Sequence, residues 1–162
     1  PESLTAIGKY AFYSCSGLTQ ITLPEGITKL ENGVFAGCGL TSIDLPNSIT
    51  SIEYATFSGC SNLTSVTISD SVTSIEDSTF SYCSNLTNVI IPNGVTSIGD
   101  LAFWYCSKLT SVTIPNGVTS SGGRTQTENM TEEISGNKEI WIYGAQWNGS
   151  QYTAEKAYSA PF

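Results

Sequence analysis

The chain of 162 residues carries 6 basic and 14 acidic side chains, so its net charge is −8, and its apolar content of 40 % is that of a globular protein. The negative charge disfavours nucleic acid and anionic membrane surfaces as partners, and no apolar run approaches the roughly 18 residues that a membrane span needs. The sequence contains no histidine, which excludes imidazole-activated nucleophiles and histidine-containing zinc sites. We therefore expect a protein without catalytic activity, cofactor or metal.

The dominant feature of the sequence is a repeat of 22 or 23 residues. Five phenylalanines recur at intervals of 23, 22, 23 and 23 residues, and five cysteines follow them three residues later at the same intervals. The shorter interval lies between Cys38 and Leu40, where the local pattern lacks one residue. A fixed period of about 20 to 30 residues is typical of a solenoid, in which each repeat forms one coil that packs on the next. The two series are Phe12, Phe35, Phe57, Phe80 and Phe103, and Cys15, Cys38, Cys60, Cys83 and Cys106.

The first element predicted in each repeat is a short strand. Segments such as LTSIDL and LTSVTI end with apolar residues at alternate positions, which gives the strand one apolar face. Proline follows most of these segments and suits the end of a strand, because it has no N–H to donate to a neighbouring strand. The predicted inward pairs are Ile21 and Leu23, Ile43 and Leu45, Val66 and Ile68, Val89 and Ile91, and Val112 and Ile114.

A second extended piece and a helical turn complete the predicted coil. The phenylalanine and the cysteine of each repeat are three residues apart and would lie on one face of a helical turn. Stacked coils would pair their strands in parallel about 4.8 Å apart, so the cysteines would form a column. Neighbouring thiols in such a column are within reach of a disulfide. Their odd number and their position beside the phenylalanines favour a reduced core column over a disulfide or a zinc site.

The repeat L-T-x-[IV]-T-[IL]-P-x-x-[IV]-T-x-I-x-x-x-A-F-x-x-C closely resembles the BspA-like class of the leucine-rich repeat superfamily. The resemblance covers roughly residues 4 to 120, in five copies. It implies an α/β solenoid, namely an arc with a parallel β-sheet on its concave face and short helical turns. It also implies a secreted or surface protein of adhesion or recognition, so we expect an extracellular or cell-surface location.

Three regions are predicted along the chain. Residues 1–120 form the repeat array, about five coils that are incomplete at both ends, since the opening segment matches only the second half of a coil and Ser121 replaces an expected isoleucine. Residues 121–137 are rich in Gly, Ser, Thr and Glu and are predicted to be a linker or loop. Residues 138–162 are rich in aromatic residues and form a cap, a hairpin or the way into a further domain. The Asn148-Gly149 pair is typical of a two-residue hairpin turn.

The outward positions of the predicted strands form the main candidate binding surface. They make two columns of small hydrogen-bonding groups, and solenoids commonly recognise partners on such surfaces. Polar residues that favour strands also occur there for solubility alone. We expect the chain to bind a protein or glycan partner through this surface. Its residues are Gln20, Thr22, Ser42, Asp44, Ser65, Thr67, Asn88, Ile90, Ser111 and Thr113.

The aromatic tail carries an alternative function. Aromatic rings stack on the faces of sugars, although they suit a cap on the end of a solenoid equally well. In this alternative the chain is a carbohydrate-binding accessory module, and the repeat array is a spacer. A third interpretation is a structural stalk without a ligand. The candidate glycan platform consists of Trp141, Tyr143, Trp147 and Tyr152.

Overall fold

The structure, a computed structural model, describes residues 3–109, 112–115, 117–118, 120–121, 125–126, 142–143, 146–147 and 152–153. Two parallel sheets run along the repeats. Sheet I contains the predicted first strands, which are β2 (Ser42–Asp44), β4 (Ser65–Thr67), β6 (Asn88–Ile90) and β8 (Val112–Thr113). Sheet II contains the second extended pieces, which are β1 (Lys29–Leu30), β3 (Ser51–Ile52), β5 (Ser74–Ile75), β7 (Ser97–Ile98) and β9 (Ser120–Ser121).

Strands in both sheets pair with a shift of one repeat. In sheet I, Ser42 lies opposite Ser65, and Ser65 lies opposite Asn88. In sheet II, Ser51 lies opposite Ser74. Equivalent residues of successive repeats are therefore neighbours, which confirms the predicted solenoid of parallel strands. The sequence predicts that the second piece is extended, but the sheet that it forms is found only in the structure.

Threonines at the start of the strands reinforce this stacking. Thr64 donates both its backbone N–H (2.9 Å) and its side-chain hydroxyl (3.0 Å) to the carbonyl of Thr41, one coil earlier. Thr73 donates in the same way to Thr50, at 3.0 Å and 3.3 Å. These side chains are exposed, yet they join coil to coil. The recurring LT and VT pairs of the sequence thus have a structural role.

The segment around each phenylalanine is a run of turns, and the described residues contain no helix. Alternate amides bond within the coil and across to the next coil. The N–H of Ala36 donates to the carbonyl of Gly33 in the same coil (3.1 Å), whereas that of Phe35 donates to Thr56 in the following coil (3.0 Å). The helical turns predicted from the spacing are corrected accordingly, because half of the amides that a helix would satisfy internally are used here to join coils.

Two residues in each coil take the left-handed backbone conformation that this alternation needs. One stands two positions before the phenylalanine and the other two positions after it, with φ between 54° and 74°. This conformation costs a residue other than glycine roughly 1–2 kcal/mol, so the bonds between coils must offset the strain. The residues are Tyr10, Ser14, Gly33, Gly37, Ala55, Gly59, Ser78, Tyr82, Leu101 and Tyr105.

A column of phenylalanine rings runs through the core. Rings of neighbouring coils are stacked with centroids 5.4 to 5.7 Å apart. Beside them, Cys60 donates its thiol to the carbonyl of Phe35 in the preceding coil, at 3.1 Å. The predicted inward strand residues are buried, apart from Ile21, which is half-buried. The apolar face predicted for each strand is therefore confirmed.

Four short strands follow the array. The strand β10 (Thr125–Gln126) lies inside the predicted linker and pairs in parallel with β11 (Ile142–Tyr143), while β12 (Gln146–Trp147) pairs antiparallel with β13 (Tyr152–Thr153). The boundaries predicted after residues 120 and 137 stay predictions.

The register of β12 with β13 corrects the predicted hairpin turn. Trp147 lies opposite Tyr152, so four residues connect the strands. A two-residue turn at Asn148-Gly149 would instead pair Trp147 with Ser150. The observed register agrees with the general preference of antiparallel strands for pairing one aromatic residue with another.

Candidate binding surfaces

Sheet I brings the predicted binding residues together. The side chains of Gln20, Thr22, Ser42, Asp44, Ser65, Thr67, Asn88 and Ile90 are all exposed. The pairing of β2 with β4 places Asp44 opposite Thr67, so the residues form the two columns that the sequence predicts. We call this set the sheet I face. Ser111 and the side chain of Thr113 lie outside the described residues.

The polar groups of the sheet I face are free to bind a ligand. Within the described part of the chain, the side chains of Ser42, Ser65, Thr67 and Asn88 have no hydrogen-bond partner. The threonines at the strand starts differ, because their hydroxyls are bonded to the preceding coil. The unused donors and acceptors thus concentrate on the strands themselves.

An apolar side chain interrupts this polar surface. Ile90 is 68 % exposed, the largest exposure among the large hydrophobic residues of the described chain. It lies in β6, two residues after Asn88. Since burying an isoleucine stabilises a complex by roughly 1.5–3 kcal/mol, Ile90 is the residue of the sheet I face that would gain most from a partner.

Asp44 is the one charged residue among the described residues of the sheet I face. The ion pairs that the structure contains lie elsewhere, where Lys29 of sheet II contacts Glu31 (3.6 Å) and Glu53 (3.4 Å). A ligand of this face would therefore be recognised by hydrogen bonds and apolar contact more than by charge.

The candidate glycan platform of the tail is only partly located. Tyr143 lies in β11, and Trp147 and Tyr152 are opposite one another in the β12–β13 pair. Trp141 lies outside the described residues, as do the side chains of the other three. The function predicted for the platform stays a prediction.

The cysteine column is buried and reduced from the second coil onward. Cys38, Cys60, Cys83 and Cys106 are free and buried, whereas Cys15 is free but exposed, because no coil in the structure precedes it. Burial raises the pKa of the Cys60 and Cys106 thiols from 9.0 to about 12. The predicted reduced core column is confirmed for these four residues, and Cys15 corrects it at the first coil.

The described residues contain no cluster of three or more potential metal ligands. They also include no helix with the length and apolar character needed to cross a bilayer.

A group of exposed aromatic residues escapes the sequence interpretation. The rings of Tyr82 and Tyr105 stack with centroids 5.0 Å apart and planes at 6°, and Trp104 meets Tyr105 edge to face at 5.0 Å. Their signal in the sequence is weak, since only two of the five repeats have tyrosine two positions after the phenylalanine. The alternation that identifies strand faces says nothing about which residues of a turn are exposed.

The two sheets, the phenylalanine column and the repeat length together define the family. A model of the BspA type leucine rich repeat region matches residues 1–132 in 6 copies. The chain belongs to this family. Its match extends beyond the five copies counted from the sequence.

Solved structures of BspA-type and other leucine-rich repeat proteins resemble this one. A leucine-rich repeat protein from Bacteroides ovatus is 27 % identical with a TM-score of 0.71, over 89 % of this chain and 42 % of its own. A leucine rich cell surface protein from Faecalibacterium prausnitzii is 28 % identical with a TM-score of 0.62, over 71 % of this chain and 32 % of its own. The leucine-rich repeat protein of T. pallidum is 30 % identical with a TM-score of 0.59, over 65 % and 49 %.

The chain thus spans less than half the length of each of these structures. No curated protein matches it.

Proposed function

We propose that this BspA-type chain is a non-catalytic recognition module of a secreted or surface protein, and that it binds a protein partner through the sheet I face. The observation that supports this most directly is the set of unpaired polar groups on the strands. Ser65, Thr67 and Asn88 form no hydrogen bond within the described chain, and the exposed Ile90 lies among them. A surface that served solubility alone would gain nothing from exposing an isoleucine.

The extracellular location rests on the relatives. The F. prausnitzii structure is that of a leucine rich cell surface protein, and this chain is similar to it over 71 % of its length. An adhesive role follows from the same resemblance, because a surface module that binds a protein partner attaches its cell to whatever carries that partner.

Photo-crosslinking tests the proposal even when the identity of the partner is unknown. Benzoylphenylalanine is introduced at Ser65 or at Ile90, the chain is mixed with extracellular protein fractions, and crosslinked products are identified by mass spectrometry. We expect the same partner from both positions. Benzoylphenylalanine at Tyr54, an exposed residue of a turn segment, is the matched control and should not capture it.

Affinity measurements then decide whether the face carries the binding energy. The double variant Ser65→Arg/Ile90→Arg should bind the identified partner at least tenfold more weakly, a loss of about 1.4 kcal/mol or more. Tyr54→Arg should bind like the parent. The proposal is wrong if the double variant keeps the parent affinity while remaining folded by circular dichroism.

The aromatic tail is a second candidate because Trp147 and Tyr152 are cross-strand partners in the β12–β13 pair. A glycan array probed with the parent and with Trp147→Ala tests it. A glycan signal that depends on Trp147, together with partner binding unaffected by the sheet I variants, would favour a carbohydrate-binding accessory module with the array as its spacer.

A further inference from the structure

Tyr82 and Tyr105 form an exposed aromatic stack on the turn segments, away from sheets I and II. Tyr82 is 54 % exposed although one face of its ring is covered by Tyr105, which is itself 46 % exposed. The edge and the second face of Tyr82 must therefore be in solvent. A flat ring with one open face is a surface that a planar or disc-shaped apolar group can cover.

The floor in front of the open face of Tyr82 lacks side chains. Gly59 and Gly37 hold the equivalent positions of the two preceding coils, and both share the left-handed conformation of Tyr82. Only Gly37 lies near a Cβ built at Gly59, at 3.7 Å, so nothing fills the space between Gly59 and the ring. We call Ser58, Gly59, Ser81, Tyr82, Trp104 and Tyr105 the aromatic ledge.

Hydroxyl groups border the ring stack. Ser58 and Ser81 share one hydrogen bond of 2.8 Å between their hydroxyls. Since each hydroxyl can donate once and accept twice, this pair keeps one unused hydrogen and several acceptor sites. The phenol groups of Tyr82 and Tyr105 have no hydrogen-bond partner in the described chain. The ledge thus combines an apolar ring face with free hydroxyls.

The backbone and the charge of the ledge limit the class of ligand. The N–H groups of Gly59 and Tyr82 are already bonded to the next coil, at 2.7 Å and 2.6 Å, so a peptide strand finds no edge to extend. None of the six ledge residues is charged, and the chain has a net charge of −8, so an anionic ligand finds no counterion. These features suit a neutral ligand that has both an apolar face and many hydroxyls.

We propose that the aromatic ledge binds carbohydrate, with the C–H face of a neutral hexopyranose ring packed on the open face of Tyr82 and its hydroxyls bonded to Ser58, Ser81 and the phenol groups. The negative π-face of an aromatic ring attracts the slightly positive C–H groups of such a sugar. This site is independent of the sheet I face, so either can exist without the other.

The proposal is tested with cellohexaose, maltohexaose and mannohexaose, three neutral hexopyranose oligomers. Each is titrated into the full chain by isothermal titration calorimetry, and the Tyr82 ring resonances are followed by NMR. We expect at least one hexamer to bind and to shift those resonances. The absence of any shift at millimolar hexamer would overturn the proposal, and this result does not depend on the folding of a variant.

Tyr82→Ser is the decisive substitution, because Ser14 takes the same backbone conformation at the equivalent position of the first coil. It should weaken the binding hexamer at least tenfold. Tyr54→Ser removes an exposed tyrosine outside the ledge and should change the affinity less than twofold, as should Trp147→Ala in the tail. Parent-like affinity in Tyr82→Ser, or an equal loss in either control, would contradict the site.

Discussion

Phe57 illustrates how single side chains hold this fold together. Its ring is fully buried and stacks between Phe35, at 5.7 Å, and Phe80, at 5.4 Å. Because each coil contributes one such ring, no other part of the coil can move in to replace it. The ring column therefore acts as the spine of the array.

Replacement of Phe57 by alanine should lower the free energy of unfolding by about 3–5 kcal/mol, because the cavity would be walled by the two neighbouring rings. Chemical denaturation followed by circular dichroism measures the change. Tyr54→Ala, at an exposed position of the same turn segment, should cost less than about 1 kcal/mol. A cost below about 1 kcal/mol for Phe57→Ala would mean that the ring lies outside the core.

The buried thiols make the stability depend on alkaline pH. Burial raises the pKa of Cys60 from 9.0 to about 12, so the thiol keeps its proton in the folded state over a range in which the unfolded chain loses it. The folded state then binds more protons than the unfolded state, and the free energy of unfolding falls as pH rises from about 9 to about 12. The slope is about 1.4 kcal/mol per pH unit for each such thiol.

Cys60→Ala should flatten this pH dependence. We expect the variant to lose less stability than the parent between pH 9 and pH 11, by about 1.4 kcal/mol per pH unit, when unfolding free energies are measured at several pH values. Cys15→Ala leaves the four buried thiols in place and should keep the slope of the parent. Equal slopes for the parent and Cys60→Ala would contradict the assignment.

At the scale of the element, the shortened second coil depends on one glycine. Where the other coils have two residues between cysteine and leucine, this coil has only Gly39, whose N–H bonds to the carbonyl of Cys15 at 3.2 Å. A Cβ at Gly39 would collide with the backbone carbonyl oxygen of Ser16. The missing residue thus draws the backbones of two coils so close that no side chain fits.

Gly39→Ala should therefore destabilise the chain by about 1–3 kcal/mol or more, because backbone atoms would have to move apart. Gly17→Ala is the matched control, since nothing lies within 4 Å of a Cβ at that position. It should change the free energy of unfolding by less than about 0.5 kcal/mol. Thermal and chemical denaturation of the two variants measure the difference, and equal effects would show that the coils can separate locally.

The strands were within reach of sequence reasoning, and the turn segments were not. Alternation in LTSIDL and LTSVTI identifies the buried face because a strand has a period of two. The spacing of three between Phe57 and Cys60 fits a helical turn equally well as a pair of linked turns. What separates the two is the left-handed backbone at Ala55 and Gly59, and neither alanine nor serine signals such a conformation in a sequence.

The binding surfaces divide in the same way. The sheet I face follows from alternation, so exposed residues such as Ser65 and Asn88 could be named from the sequence. The aromatic ledge could not, because its residues meet only when positions 23 apart are stacked in adjacent turns, as for Tyr82 and Tyr105. The free face of Tyr82 depends on a glycine one coil away, a relation that no local pattern contains.

For the whole molecule, each coil bonds mainly to the coils on either side of it. Thr64 donates to Thr41 and accepts from Thr87, and the same relation recurs along both sheets. Stability in such an array is approximately a sum of coil terms and of terms between neighbours.

The one-repeat register has a consequence for how such proteins can change. A duplicated block of 23 residues meets, on both of its sides, the same bonding pattern that it left, so a copy can be gained or lost within the array without redesign of its neighbours. Each duplication would lengthen the sheet I face by one further pair of outward positions, and point substitutions could then diversify that pair while the buried ring, thiol and threonine of the new copy hold it in place. Reach and selectivity can thus vary separately from foldability.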